Sequence, residues 1–120
     1  MEVRRNEDLM SFQKGEVFWV NLDPTEGAEI KKKRPAVIIS NNVINANSPL
    51  IVVCPITDST GKKSPIHILI EKGEGGLTKD SIAHCGQIRT VDKSRLYEKI
   101  GNLNSKKMAE IESGIKLVLF

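Results

Sequence analysis

Short runs of β-branched and aromatic residues, separated by clusters of turn residues, follow one another along most of the chain. The run EVFWVNL (16–22) ends at a cluster of Asp, Pro and Gly, and Pro35 opens the apolar part of a second run. The runs LIVVCPIT (50–57) and PIHILIE (65–71) come next, and both are rich in apolar residues. We therefore predict a strand at each of these places, with a loop between the first two that ends at Arg34.

The remaining segments before the C-terminus contain more polar and turn-forming residues. We interpret 41–49 as a polar connection and 80–91 as one further strand, with Gly86 at a bulge or a close approach. Residues 92–96 have the composition of one helical turn, and 97–103 that of a short final strand. Short strands joined by brief turns are typical of antiparallel sheets.

The C-terminal segment has the hydrophobic period of a helix rather than that of a strand. Apolar residues recur there every three or four positions, as on one face of a helix: Met108, Ile111, Ile115, Val118 and Leu119. Asn104 or Ser105 can cap the first turn of this helix. The pattern as a whole predicts a mainly β fold with a C-terminal helix, in a small barrel of about five to seven short antiparallel strands.

Length and composition limit the class of protein. A chain of 120 residues can form one compact domain, and 39% hydrophobic with 28% charged residues is an ordinary balance for a folded chain. Residues 1–13 carry mixed charges and little periodicity, so we predict a mobile or weakly helical arm ahead of a domain at 14–120. The net charge of +3 is mildly basic, which is compatible with a local patch that binds phosphate.

Membrane proteins and metal-binding domains are not indicated. The chain has neither the apolar core of a signal peptide nor a run of about 18 apolar residues, so we expect a cytoplasmic protein. Cys54 and Cys85 lack the CxxC spacing of a zinc site, and a reducing compartment disfavours a disulfide between them. His67 and His84 are interpreted as surface or core-edge residues of strands. We therefore predict neither a metal ion nor a cofactor.

The densest positive charge, KKKR at 31–34, stands directly before Pro35 and a buried strand. A residue before proline is restricted to extended backbone, so Arg34 is expected on stiff backbone at the junction of loop and strand. Its planar guanidinium can grip a phosphate at two places and stays charged at physiological pH. The alternative interpretation is that these cations are a solvated flank of the strand.

Other polar residues end or follow predicted strands. Thr57 ends the run 50–57, where its hydroxyl could donate to a phosphate oxygen at the rim of the sheet. Gln87, Arg89 and Thr90 form a second polar group, which either contacts a ligand or pairs across strands on an exposed face.

Four motifs occur in a defined order: GEVFWVNLDPTEGAE (15–29), RPAVIIS (34–40), PIT (55–57) and QIRTVDKSRL (87–96). Together they resemble the MazF/PemK family, the ribonuclease toxins of bacterial toxin-antitoxin pairs, from about Gly15 to the C-terminus. The resemblance implies an SH3-like barrel with a C-terminal helix, a homodimer, and metal-independent cleavage of single-stranded RNA at short sequences. It also implies a cognate antitoxin protein as a partner.

The functional residues of the family fall on matching positions of this chain. The catalytic arginine, which precedes a proline, falls on Arg34, the catalytic threonine falls on Thr57, and an acidic residue near the cleavage site falls on Glu29. Family members often continue the acidic motif with glutamine and small residues, whereas this chain has IKKK at 30–33, so its RNA sequence preference is left open. The residues then expected to bind RNA are Lys31, Lys32, Lys33, Gln87, Arg89 and Thr90.

The implied reaction uses the nucleophile that RNA itself carries, its 2′-OH, and yields a 2′,3′-cyclic phosphate and a 5′-OH. The general base is left open among Glu29, a water molecule and Arg34. Two other classes of protein use such a barrel: toxins of the CcdB type, which bind a topoisomerase and cleave nothing, and non-enzymatic nucleic-acid-binding modules. The combination of Arg34, Pro35 and Thr57 favours the ribonuclease over the first of these.

Overall fold

The computed structural model describes residues 11–30, 32–58 and 64–120. Within these ranges the chain forms seven β-strands and two α-helices. The strands are β1 (Glu16–Asn21), β2 (Lys33–Ile38), β3 (Leu50–Asp58), β4 (His67–Ile70), β5 (Ser81–His84), β6 (Arg89–Asp92) and β7 (Leu96–Asn102). The helices are α1 (Asn42–Asn47) and α2 (Ser105–Leu119). Neither helix is long and apolar enough to cross a membrane.

The strand pairs are antiparallel, in the order β4-β5-β3-β2-β1-β7, and β6 pairs with β3. β3 is nine residues long and has three partners: its beginning pairs with β6, its middle with β2 and its end with β5. One long strand therefore connects the different parts of the sheet. The predicted fold class, mainly β with short antiparallel strands and a C-terminal helix, is confirmed.

Both faces of the central strands are covered by apolar side chains, because successive residues of a strand point to opposite faces. The helix-side core combines residues of β1 to β3 with residues of α2: Val17, Val37, Cys54, Ile56, Met108 and Ile111. The second core lies on the other face: Phe12, Phe18, Val20, Ala36, Ile38, Ile51 and Val53. Burial of both faces explains why these strands have continuous apolar runs rather than alternating ones.

The chain ahead of β1 joins the second core through Phe12. Its ring is buried, and its centroid lies 5.2 Å from that of Phe18. Most of the arm predicted at 1–13 lies outside the described residues, so the arm stays a prediction. Phe12 therefore packs against the domain although it lies before residue 14, where the domain was predicted to begin.

The single strand expected at 80–91 is wrong. The structure has β5 and β6 there, separated by a 3₁₀ turn at Cys85–Gln87 that contains Gly86. β5 pairs with the end of β3 and β6 with its beginning, so the chain must change direction between them. The turn also places Cys85 in the helix-side core, where a Cβ built on Gly114 of α2 would lie 2.7 Å from its Sγ.

The polar connection expected at 41–49 is wrong in part, because it contains α1. The side chain of Asn41 caps this helix by accepting a hydrogen bond from the backbone N–H of Ile44 at 3.0 Å. Asn45 is buried, and its amide donates to the carbonyl of Ser40 at 2.8 Å. Polar contacts therefore hold this short helix, which an analysis of apolar periodicity does not detect.

The cysteines occupy the helix-side core as free thiols. Cys54 and Cys85 are both buried and form no disulfide. A hydrogen bond to Cys85, together with burial, raises the pKa of the Cys54 thiol. Cys54 thus packs as a small buried apolar residue.

The helix predicted at the C-terminus is confirmed as α2. The side chain of Asn104 accepts a hydrogen bond from the backbone N–H of Lys107 at 2.8 Å, as expected of a cap. Met108 and Ile111 are buried against the sheet, whereas Leu119 near the end of the same helix is exposed. The predicted apolar stripe is therefore covered along the first turns of α2 and uncovered at its end.

Replacing Asn104 by alanine is expected to lower the free energy of unfolding by about 1 kcal/mol, because the N–H of Lys107 loses its acceptor. Chemical denaturation measures the change. Ser105→Ala is the matched control, because Ser105 is an exposed neighbour inside the helix, and it should change stability by less than about 0.5 kcal/mol. An unchanged unfolding midpoint in the Asn104 variant would show that the cap contributes nothing.

Candidate active site

Arg34 lies inside a strand rather than at the end of a loop, which corrects the boundary expected from the sequence. β2 begins at Lys33, and Arg34 is opposite Val20 of β1. Pro35 follows within the strand, opposite Trp19. Because Lys33 and Arg34 also pair with β1, the strand begins two residues before Pro35. The backbone that carries Arg34 is thus held both by the proline and by a neighbouring strand.

Arg34 lies on β2 and Thr57 on β3, and these two strands pair with each other. The register of β2 and β3 pairs Ala36 with Pro55. The pairing ends there; Arg34 precedes Ala36 by two residues and Thr57 follows Pro55 by two, so both lie on the same face of the sheet as that pair. Both residues are partly buried. The fold therefore brings together the two polar residues that the sequence separates by more than twenty positions.

A cavity of about 250 Å³ opens at this end of β2 and β3. Arg34 and Thr57 line it, as do several residues that the sequence analysis did not single out: Trp19, Asp58, Thr78, Lys79 and Ser81. Lys79 forms an ion pair with Asp58, with 3.2 Å between Nζ and Oδ2. Among the described residues of the lining, Lys33, Arg34 and Lys79 outnumber the one carboxylate, Asp58, and this excess of positive charge suits a phosphate.

The three lysines ahead of Arg34 differ in position. Lys33 lines the cavity, and its ammonium lies 5.6 Å from the centroid of the Tyr97 ring. Lys32 is exposed, has a positive φ of 71° and donates its backbone N–H to Asp23 at 2.9 Å. Lys31 lies outside the described residues. Of this group, Lys33 is the one that the structure places at the cavity.

Glu29 is exposed on the loop between β1 and β2 and is not among the residues that line the cavity. Its carboxylate accepts a hydrogen bond from the backbone N–H of Glu26 at 2.7 Å. The backbone N–H of Glu29 in turn donates to the carbonyl of Glu26 at 3.2 Å. This reciprocal pair of hydrogen bonds holds Glu29 in a tight local turn.

Gln87 and Arg89 contact the same loop rather than the cavity. The side-chain oxygen of Gln87 accepts from the backbone N–H of Ile30 at 3.3 Å, and Arg89 donates to the carbonyl of Leu22 at 3.0 Å. Thr90 is exposed on β6. The polar group predicted from the sequence therefore includes two residues that fasten the β1–β2 loop, and with it Glu29, to the sheet.

The two histidines lie on the face of the sheet that carries Thr57. Thr57 is opposite Ile82 of β5, and His84 follows two residues later on the same face. His67 is directly opposite His84 on β4, and the two Nε2 atoms are 3.1 Å apart. Burial and the neighbouring His67 lower the pKa of His84. The sequence indicated surface or core-edge residues, but their contact depends on the pairing of β4 with β5.

The chain matches the family model described as "PemK-like, MazF-like toxin of type II toxin-antitoxin system" over residues 13–119. It is also 43% identical over 108 residues to a protein of Staphylococcus saprophyticus named "Endoribonuclease MazF". That alignment covers 89% of this chain and 90% of the relative.

Solved structures show the same fold at lower sequence identity. The crystal structure of MazF from Deinococcus radiodurans aligns with a TM-score of 0.77 at 24% identity, over 89% of this chain and 94% of the other. An endoribonuclease in complex with its cognate antitoxin, from a mycobacterial species, aligns with a TM-score of 0.73 at 20% identity, over 89% of this chain and 93% of the other.

Proposed function

The chain belongs to the PemK-like, MazF-like toxins of type II toxin-antitoxin systems, and we propose that it is an endoribonuclease whose cleavage site is formed by Arg34 and Thr57. The observation that carries the proposal is that both residues line one cavity at the adjoining ends of β2 and β3, and that the charged residues described in its lining are mostly cationic. A phosphodiester is the substrate group that such a site would attract most strongly.

The reaction we propose is transesterification of RNA by its own 2′-OH. Attack of the 2′-oxygen on the adjacent phosphorus forms one P–O bond and breaks the bond to the 5′-oxygen, giving a 2′,3′-cyclic phosphate and a 5′-OH. The protein then has to align the 2′-OH, remove its proton, stabilise the charge of the pentacoordinate phosphorane and protonate the leaving oxygen. The reaction as proposed needs no metal ion, because RNA supplies the nucleophile.

Arg34 and Thr57 have distinct roles in this scheme. The guanidinium of Arg34 neutralises the phosphorane and delivers the proton to the leaving 5′-oxygen, while the hydroxyl of Thr57 donates to a non-bridging oxygen. Glu29 is the proposed general base, because an exposed carboxylate accepts a proton far more readily at neutral pH than a guanidinium does. To reach the 2′-OH, the turn that holds Glu29 would have to open when RNA binds.

The residues proposed to bind RNA surround this pair. Lys31, Lys32 and Lys33 would attract the phosphates that flank the cleaved one. Gln87 and Arg89 would act on RNA through the β1–β2 loop that they fasten, and Thr90 would add a hydroxyl on the exposed face of β6. The RNA sequence that the site prefers is then decided by this loop, where the chain has IKKK at 30–33.

A cognate antitoxin is the proposed protein partner, supported by the antitoxin complex of a structural relative. An acidic, extended segment would suit the same surface, because cations that attract phosphates also attract carboxylates. Exposed apolar residues at the end of α2 support a homodimer: Leu117, Val118, Leu119 and Phe120. We place the protein in the cytoplasm, where messenger RNA is available and the free thiols of its core would stay reduced.

Incubating the purified protein with a long mixed-sequence RNA in a chelator, and mapping both ends of the products, tests the proposed function. The expected result is cleavage at a short recurrent sequence that leaves cyclic phosphate and 5′-OH ends. RNA that is bound but stays intact would identify a binding module instead. Absence of both binding and cleavage would point to a toxin of the CcdB type.

Changing Lys31, Lys32 and Lys33 together to glutamine is expected to weaken RNA binding about tenfold at moderate ionic strength. The slope of log affinity against log salt concentration should decrease by about 0.7 for each phosphate that the variant no longer neutralises. Affinity for the antitoxin should fall in parallel, because one surface is proposed to serve both ligands. Binding titrations at several salt concentrations measure these effects.

Lys106→Gln is the control for a general change in charge, because Lys106 is exposed on α2. If the triple variant keeps the wild-type salt slope, the lysines do not neutralise RNA phosphates. The alternative interpretation, that they are a solvated flank of the strand, would then hold. Loss of RNA binding with unchanged antitoxin binding would separate the two surfaces.

A further inference from the structure

The two histidines of the chain form a cross-strand pair on β4 and β5. Their Nε2 atoms are 3.1 Å apart, their ring centroids are 4.3 Å apart, and their ring planes cross at 81°. Directly opposed residues of two hydrogen-bonded strands have closely spaced Cβ atoms, so the backbone holds these rings at a fixed separation. The pair is preorganised by the sheet and not by a flexible loop.

A hydrogen bond between the rings leaves part of the pair unsatisfied. The Nδ1 atoms of His67 and His84 are buried without a hydrogen-bond partner, and among the described residues they are the only side-chain nitrogen or oxygen atoms in that condition. A neutral pair also requires one ring to donate and the other to accept at Nε2, which means opposite tautomers. Both Nδ1 atoms stay without a partner whether a proton or an ion lies between the Nε2 atoms, so the separation of the Nε2 atoms is the observation that bears on a bound ion.

We infer that His67 and His84 form a binding site for a divalent transition-metal ion, Zn²⁺ or Cu²⁺, held through both Nε2 atoms. Nitrogens that each lie about 2.0–2.1 Å from an ion are about 3.3 Å apart at a tetrahedral angle and about 2.9 Å apart at a right angle. The observed 3.1 Å falls between these values. An ion can thus take the place of the shared proton with little change in this distance, and the ring that carried the proton on Nε2 changes to the tautomer that carries it on Nδ1, so that both rings bind as neutral imidazoles.

The chemistry of the pair selects the kind of ion. Imidazole nitrogen binds Cu²⁺ and Zn²⁺ well, whereas Mg²⁺ and Ca²⁺ prefer oxygen ligands. No group of three or more His, Cys, Asp or Glu residues that could hold a metal occurs in the described part of the chain. The pair would therefore supply two ligands and water the remaining ones, and both histidines are partly exposed to solvent.

Thermal unfolding with and without metal tests this site. Zn²⁺ or Cu²⁺ at ten times its dissociation constant is expected to raise the Tm of the wild type by about 5 °C, and Mg²⁺ at the same concentration by less than about 1 °C. His67→Gln and His84→Gln should each lose most of this shift, because one imidazole remains. Leu69→Gln, on the same face of β4, is the matched control and should keep it.

Nitrogen NMR of the imidazoles gives a readout that does not depend on stability. Zn²⁺ is expected to shift the Nε2 resonances of both histidines together and to saturate at one ion per chain. A response from a single histidine, or an undiminished Tm shift in either glutamine variant, would overturn the site. Neither measurement involves RNA, so the outcome is independent of the proposed cleavage activity.

Discussion

Replacing Arg34 by alanine is expected to reduce the single-turnover rate of RNA cleavage by about a thousandfold. The guanidinium is the group proposed to neutralise the charge that develops on the phosphorane, and it is placed for this by Pro35 and by pairing with β1. In the alanine variant water would occupy the place of the guanidinium, and water has neither a fixed position nor a net charge. Quench-flow or gel analysis with enzyme in excess over a labelled RNA measures the rate.

Two variants separate chemistry from general effects. Arg34→Lys keeps the charge but loses the planar fork, so it should recover only part of the wild-type rate. Lys106→Ala removes an exposed cation from α2 and should leave the rate within about twofold of the wild type. The Tm of Arg34→Ala should stay close to that of the wild type, because Arg34 is only partly buried. A folded Arg34→Ala protein that cleaves at near wild-type rate would remove Arg34 from the site.

Replacing Thr57 by alanine is expected to reduce the single-turnover rate about a hundredfold while changing RNA affinity by less than about threefold. A hydroxyl that donates to a non-bridging oxygen contributes most when that oxygen carries the extra charge of the transition state. It contributes little to binding of the ground state, where the lysines are proposed to supply most of the attraction. The rate and the dissociation constant are measured separately on the same RNA.

Two controls accompany this variant. Thr57→Ser keeps the hydroxyl and should retain most of the activity, whereas Thr78→Ala removes a different hydroxyl from the same cavity and should have a much smaller effect. Equal losses in rate and in affinity for Thr57→Ala would assign Thr57 to RNA binding rather than to catalysis.

Much of the secondary structure could be predicted from the sequence, because its signals are local. The apolar runs of β1 and β3 arise from strands that bury both faces, and the three- and four-residue period of α2 arises from a helix that buries one. The cap at Asn104 depends on a contact with Lys107, three residues away. The two strands within 80–91 could not be separated in this way, because their boundary is set by which part of β3 each one meets.

The candidate site likewise depends partly on local sequence and partly on contacts between distant segments. The restricted backbone of Arg34 follows from the proline beside it, and the resemblance to a toxin family indicated both Arg34 and Thr57. Their position at one cavity depends on the register of β2 and β3, which the burial of two cores decides. No local pattern indicated that Gln87 and Arg89 would fasten the β1–β2 loop.

By itself, therefore, the sequence determined the order and type of most elements and the positive charge ahead of β2, and it indicated the residues that we propose bind phosphate. Only the tertiary structure decided which of these residues meet: Arg34 with Thr57, Gln87 with the loop, and His67 with His84. The physical reason is that side-chain chemistry and helical or strand period belong to short segments. Contacts between distant segments depend instead on register, and register is chosen by how the whole chain buries its apolar faces.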